Sequence, residues 1–343
     1  MSAIDKSIQD LYRTVLKTGK IYENKNRGVK RLQIPSYTFR HDLINDGFPA
    51  ITNKKIYWKG IVGELLWFLR GDNDVKFLNQ NGINIWNKDA YNWYLKDFTK
   101  NLKNYATEVP LTFAEFEALG EGSVGRNYSV QWREFRSVDA DKIGLKETDQ
   151  IKDLIRGMRE DIMSSRLKVN AWNPGELNNT ALPPCHSEFQ VVGVPLNFKD
   201  RMAIANARGS LIGFEGKKYS EKEMEDMKNT LNNYGIPEFG FELHWNQRSV
   251  DLFLGLPFNI ASYALLAKIL EKITGYPALG IEGTLKCVHF YENQYNATVE
   301  LLKRDPNKHD KCEIMILGDF GKFTIVLILI KCWQKLRSII SNC

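Results

Sequence analysis

The sequence predicts a layered α+β (α/β) fold around a single core, and three observations predict it. Segments with the alternation of strands interleave along the chain with segments of helical periodicity. A hydrophobic content of 43% over 343 residues is enough to bury a large core. No internal repeat and no low-complexity linker interrupts it, so residues 1–343 are expected to form one domain.

The elements follow in order. Residues 2–16 place Ile4, Ile8, Leu11, Tyr12, Val15 and Leu16 at helical spacing, with Ser2 as N-cap. Residues 31–43 have strand-like composition broken by Pro35, and residues 58–69 read as a strongly apolar helix ended by Gly71-Asp72. Residues 167–172, 188–194 and 241–249 predict strands. Residues 258–273 predict a buried helix closed by Gly275. Between them, residues 197–237 are more polar, rich in Lys, Glu and Asn, and read as an insertion rather than a second domain. Residues 323–330 are an unbroken apolar run that would be prone to aggregate if left unpaired.

Composition narrows the functional classes. The first 19 residues lack the pattern of a signal peptide, and no apolar stretch reaches the ~20 residues that span a bilayer. Secretion and membrane insertion are therefore not expected. Cys185, Cys287, Cys312, Cys332 and Cys343 form no CxxC pair and no regular spacing, which suggests neither a zinc site nor a disulfide framework. Reduced thiols in a cytoplasmic setting fit this usage. The formal net charge of +6 is spread rather than clustered, which suits anionic small molecules at least as well as nucleic acid.

The chemistry concentrates in three stretches: Pro183-Pro184-Cys185-His186, Gln247-Arg248-Ser249-Val250-Asp251, and the run from Gly255 to Tyr263 containing Asn259. Taken alone, Cys185 reads as an inert core residue. Two prolines that fix its backbone, and an arginine brought near it, would make it a nucleophile by favouring the thiolate. Arg248-Ser249 could be a surface pair, but guanidinium plus hydroxyl also forks a phosphate. Asn259 either caps local backbone or offers a donor and an acceptor that complement the O4 and N3–H edge of uracil. Glu64, inside an apolar helix, is either at a solvated edge or a general acid/base perturbed by desolvation. His289 and Tyr291, two apart on a strand, share a face and either pack or bind a sugar hydroxyl.

These residues carry a resemblance. The chain resembles the thymidylate synthase family from about residue 47 to residue 306, through residues 58–72, 83–86, Tyr128 with Gln131-Trp132-Arg133, residues 171–173 and 175–177, residues 181–186, residues 247–266, and His289 with Tyr291. The resemblance implies a mixed twisted sheet packed with helices and a homodimer joined sheet to sheet, each site borrowing Arg166 from the partner. It implies a methyltransferase acting on dUMP, with 5,10-methylenetetrahydrofolate as co-substrate, no metal, and no obligatory nucleic-acid or membrane partner. Cys185 would attack uracil C6, with Glu64, Arg248, Asn259, Tyr128 and His186 completing the catalytic set. The nucleotide would be held by Arg27, Arg166, Gln247, Arg248, Ser249, Asp251, Asn259, His289 and Tyr291. The folate would lie against Trp86, Leu182, Asp251, Leu254, Gly255 and Phe258.

Four departures from the family pattern stand out. Ser165 replaces the first of two arginines at the borrowed position, and the N-terminal phosphate loop reads Asn26-Arg27-Gly28-Val29-Lys30-Arg31. The insertion at 197–237 has no counterpart in the shortest members. The tail at about 320–343 lacks the closing Gly-Tyr motif that excludes water. Two alternatives therefore stand beside methylation: a deoxyuridylate hydroxymethylase, in which water rather than hydride adds to the exocyclic methylene left on C5 of the uracil, and a nucleotide- or RNA-binding relative without turnover.

Overall fold

The computed structural model describes residues 3–24, 29–101, 109–139, 144–207, 209, 220–307, 312–317, 325–330 and 339–341. Its helices and strands alternate in the order α1 (Ala3–Thr18), β1 (Lys20–Asn24), β2 (Val29–Asp42), α2 (Trp58–Arg70), α3 (Lys76–Gln80), α4 (Asn87–Asn101), α5 (Phe113–Leu119) and α6 (Tyr128–Arg133). They continue with β3 (Phe135–Val138), β4 (Leu145–Thr148), α7 (Gln150–Glu160), β5 (Lys168–Asn170), β6 (His186–Pro195), α8 (Phe198–Ala207), α9 (Glu221–Asn233), β7 (Phe239–Gln247) and β8 (Val250–Asp251). The chain closes with α10 (Gly255–Thr274), β9 (Ala278–Tyr291), α11 (Tyr295–Leu302), β10 (Glu313–Leu317), β11 (Ile325–Ile330) and β12 (Ile339–Ser341).

A seven-stranded sheet organises the molecule in the order β1-β2-β9-β7-β6-β5, with β8 also pairing β9. It is mixed: β9 runs parallel to β7 and β8, and the other neighbours are antiparallel. Along β7 the residues alternate, with Phe241, Leu243, Trp245 and Gln247 buried and Glu242, His244 and Asn246 on the other face. The buried face packs against α10, whose apolar residues cover almost its whole circumference, as a central helix requires. No described helix is long and apolar enough to cross a membrane.

Several boundaries correct the sequence reading. Pro35 does not break its strand, because β2 runs continuously from Val29 to Asp42. The ladder pairs Ile34 with Val288 and Ser36 with Lys286, leaving Pro35 without a ladder partner opposite Cys287. Cys287 takes φ 47°, the only described non-glycine residue with positive φ. A local kink thus absorbs the missing N–H. α10 begins three residues earlier than its periodicity suggested, which puts Asn259 in its second turn. β7 stops at Gln247, so Arg248 and Ser249 occupy the break before β8 rather than a strand end.

In the 197–237 stretch, α8 and α9 enclose a small apolar cluster of their own, with Met202, Ile204, Ala205, Leu231 and Ile236. In the tail, β11 pairs antiparallel with β10 on one side and β12 on the other, so this part of the apolar run is not an unpaired strand. Phe323, Ser2 and most of the predicted tail lie outside the described residues.

Candidate active site

A cavity of about 210 Å³ opens where α2, α6, the start of β6, the end of β7 and the start of α10 converge. Eleven of the residues singled out from sequence line it: Glu64, Trp86, Tyr128, Leu182, Cys185, His186, Gln247, Ser249, Asp251, Gly255 and Asn259. Phe68 lines it too and was missed. It lies four residues after Glu64 on α2, a spacing that places both on one helix face.

Cys185 is held from three directions. Its amide donates to the Tyr128 hydroxyl at 2.6 Å, and its carbonyl accepts from the Arg248 amide at 2.8 Å. The Arg248 side chain then folds back, with Nε donating to the Pro184 carbonyl and Nη2 to the Pro183 carbonyl, each at 2.8 Å. This aims Nη2 at Cys185 Sγ, 3.9 Å away, while the guanidinium lies over the Trp172 ring. The two prolines have no N–H to contribute, but their carbonyls fix the arginine. A cation at this distance favours a thiolate over a thiol.

Burial perturbs the two acid–base groups in opposite directions. Glu64 Oε1 accepts from the Trp86 indole at 2.7 Å. Desolvation nevertheless raises the carboxyl from 4.5 to about 7, outweighing the donor that favours the anion. Desolvation lowers His186 from 6.5 to about 4, against a hydrogen bond with the Asn259 side chain. The His186 ring sits between Tyr128 and Tyr263, and burial pushes both phenols above their usual range. Near pH 7 the cavity therefore holds a neutral imidazole and a carboxyl close to half-protonation.

Asn259 and Asp251 are braced from behind. Gln247 Nε2 donates to Asn259 Oδ1 at 3.0 Å. Asp251 Oδ1 accepts from the Phe253 and Leu254 amides, and both its oxygens accept from Gln294 Nε2. Gln294 was not anticipated, because its role depends on a contact 43 residues away in sequence.

The remaining predicted residues stand outside the cavity lining. Leu254 is exposed just before α10, and Phe258 is half-buried on its first turn. His289 is buried, with Nδ1 directed at the Cys287 carbonyl at 2.6 Å, and Tyr291 meets it edge-on. A carbonyl only accepts, so Nδ1 carries the proton and Nε2 is a bare acceptor. That nitrogen is buried without a hydrogen-bond partner among the described residues, as a sugar-hydroxyl acceptor would be. Arg166 is exposed on the segment before β5, and Arg27 lies outside the described residues. No described group of three or more His, Cys, Asp or Glu could hold a metal ion.

The family model described as thymidylate synthase matches residues 6–213 and 217–339. Among similar curated proteins, one from Mycoplasma genitalium is 35% identical over 291 residues, covering 84% of this chain and 82% of the relative. One from Malacoplasma penetrans is 33% identical over 304 residues, covering 88% and 86%. One from Listeria monocytogenes is 31% identical over 336 residues, covering 92% and 90%. All three are named thymidylate synthase.

Proposed function

This chain belongs to the thymidylate synthase family of methyltransferase enzymes, and from that premise we propose that it converts dUMP to dTMP through a covalent adduct on Cys185. The observation that carries the reading is the Arg248 guanidinium directed at the Cys185 thiol, in the wall of the cavity that also presents Glu64 and Asn259.

Cys185 sulfur adds to uracil C6, and the electron pair displaced onto C5 and O4 makes C5 a nucleophile. C5 then bonds to the one-carbon unit of 5,10-methylenetetrahydrofolate as that carbon's bond to N10 breaks, loses its proton, and releases tetrahydrofolate by cleavage of the remaining bond to N5, which leaves an exocyclic methylene on C5. The carbon is reduced by hydride from the same folate, and expulsion of the thiolate yields dTMP and dihydrofolate. Glu64, with its carboxyl near half-protonation at neutral pH, moves protons at C5 and O4, with Tyr128 and His186 beside it. Asn259 reads the uracil edge, Arg248 and Ser249 bind the phosphate with Arg27, and His289 Nε2 accepts from the deoxyribose hydroxyl with Tyr291 beside it. Trp86, Leu182, Asp251, Leu254, Gly255 and Phe258 form the folate side.

We also propose that two copies associate through the sheet face opposite α10, each lending Arg166 to the other's phosphate. The charged cluster on that face supports the reading. Arg40 reaches Glu242 at 2.8 Å and Glu282 at 3.2 Å, and His244 Nε2 lies 2.8 Å from Glu242. The 197–237 stretch is an insertion in this domain, and cysteines with no CxxC pair and no regular spacing suit a reducing cytoplasm.

Incubation with dUMP and methylenetetrahydrofolate, followed by mass spectrometry of both products, tests the proposal. Thymidylate with dihydrofolate is expected. Hydroxymethyl-dUMP with tetrahydrofolate would replace methylation by hydration of the same intermediate, and bound dUMP without product would leave a binding protein.

A further inference from the structure

Trp245, behind the cavity, and Gln247 and Asn259, which line it, form a one-way hydrogen-bond relay. The Trp245 indole N–H donates to Gln247 Oε1 at 3.2 Å, and Gln247 Nε2 donates to the Ser249 carbonyl at 3.1 Å and to Asn259 Oδ1 at 3.0 Å. An indole only donates and a carbonyl only accepts, so the Gln247 amide can sit in one orientation alone. With its nitrogen committed towards Asn259, that residue must turn its oxygen to Gln247. Its Nδ2 hydrogens and the remaining oxygen lone pair are left for the base and for His186.

We propose that Trp245 is a positioning residue that sets uracil over cytosine by fixing the polarity of the Asn259 amide through Gln247. The proposal rests on the reading of the site as a dUMP site. Asparagine by itself does not discriminate: rotated by 180°, the amide that gives N–H to O4 and takes N–H from N3 would instead accept from the cytosine amino group and donate to cytosine N3. Discrimination therefore needs something that forbids the rotation. Trp245 supplies it without touching the base, since it is 1% exposed and stacked on Tyr263 with ring centroids 4.9 Å apart. The sequence shows no sign of this, because Trp245 reads only as an inward-facing strand residue.

Two substitutions test the relay by equilibrium binding of dUMP and dCMP to the full-length protein. Trp245→Phe keeps the ring stacked on Tyr263 and removes the N–H. With the Ser249 carbonyl still holding Gln247, the dUMP-to-dCMP affinity ratio should fall by roughly fivefold, the worth of one net hydrogen bond. Gln247→Glu presents only acceptors to Asn259, so the amide should rotate and dCMP should gain on dUMP by tenfold or more. A packing role for Trp245 would weaken both nucleotides equally in the first variant, and unchanged ratios in both variants would overturn the relay alone. A parent protein that binds dUMP no better than dCMP would overturn the reading of the site and the relay with it.

Discussion

The Trp86 indole donates to Glu64 Oε1 at 2.7 Å, yet the Glu64 carboxyl still titrates at about 7. A single neutral donor does not compensate for desolvating a carboxylate on an apolar helix. The same cavity wall lowers His186 to about 4, so one desolvated pocket creates two opposite dependences on pH.

Removing either group should therefore tilt the pH dependence of stability, and the two removals should tilt it in opposite directions relative to the parent. Glu64 has a raised folded-state value, so its contribution is complete below 4.5 and is lost as pH rises through about 7. His186 has a lowered one, so its contribution is complete above 6.5 and is lost as pH falls through about 4. Each shift corresponds to about 3 kcal/mol, and over the shared range the two oppose each other. Relative to the parent, Glu64→Gln should make stability climb more steeply with pH between 4.5 and 7, and His186→Gln should make it climb less between 4 and 6.5. Urea titrations at pH 4.5, 5.5, 6.5 and 8 would show this; two variants with the parent's own pH profile would sink it.

Much of the site was legible in the sequence because its parts come in short contiguous stretches. Cys185-His186, Gln247 to Asp251 and Gly255 to Asn259 each fall on one turn or strand end, and three such pieces bring seven of the lining residues together. What was hidden depends on distant pairing. Pro35 reads as a strand breaker until Cys287 is seen opposite it, and Gln294 means nothing until it meets Asp251. The amphipathic helix α7, N-capped by Asp149, carries its signal only in the spacing of Ile151, Leu154 and Met158.

Arg248 should control the reactivity of Cys185. At 3.9 Å, with its Nε and Nη2 already held by Pro184 and Pro183, the guanidinium has little freedom to leave the sulfur. Arg248→Met should slow alkylation of Cys185 by iodoacetamide at pH 7 roughly tenfold, a modest share of the Coulomb energy available near a protein surface. Residue-resolved mass spectrometry separates Cys185 from Cys287, whose rate should not change. Equal Cys185 rates in parent and variant would remove the arginine from the chemistry.

A mixed-subunit experiment tests the shared site. Cys185→Ala and Arg166→Ala chains should each be inactive alone. Refolded together in equal amounts they should recover about a quarter of parental activity, since half the dimers are mixed and each holds one intact site. Arg166 is exposed and outside its own chain's cavity, as a donated residue must be. No recovery would place its action elsewhere.

The N-terminal helix should prove essential to the segment that leads into α2. Asp5, fully buried on α1, accepts from the Thr52 amide at 2.9 Å, the Thr52 hydroxyl at 2.6 Å and the Asn53 amide at 3.3 Å. Its carboxylate thus satisfies donors that water cannot reach, six residues before the helix that carries Glu64 begins. Asp5→Ala strands two backbone amides and a hydroxyl, and should cost about 2–4 kcal/mol of unfolding free energy. Thr52→Val removes only the hydroxyl and should cost about 1 kcal/mol. Because the two residues share a bond, the double variant should be less destabilised than the sum of the singles. Denaturant unfolding of the four proteins measures the difference, and strict additivity would show that Asp5 acts on something other than Thr52.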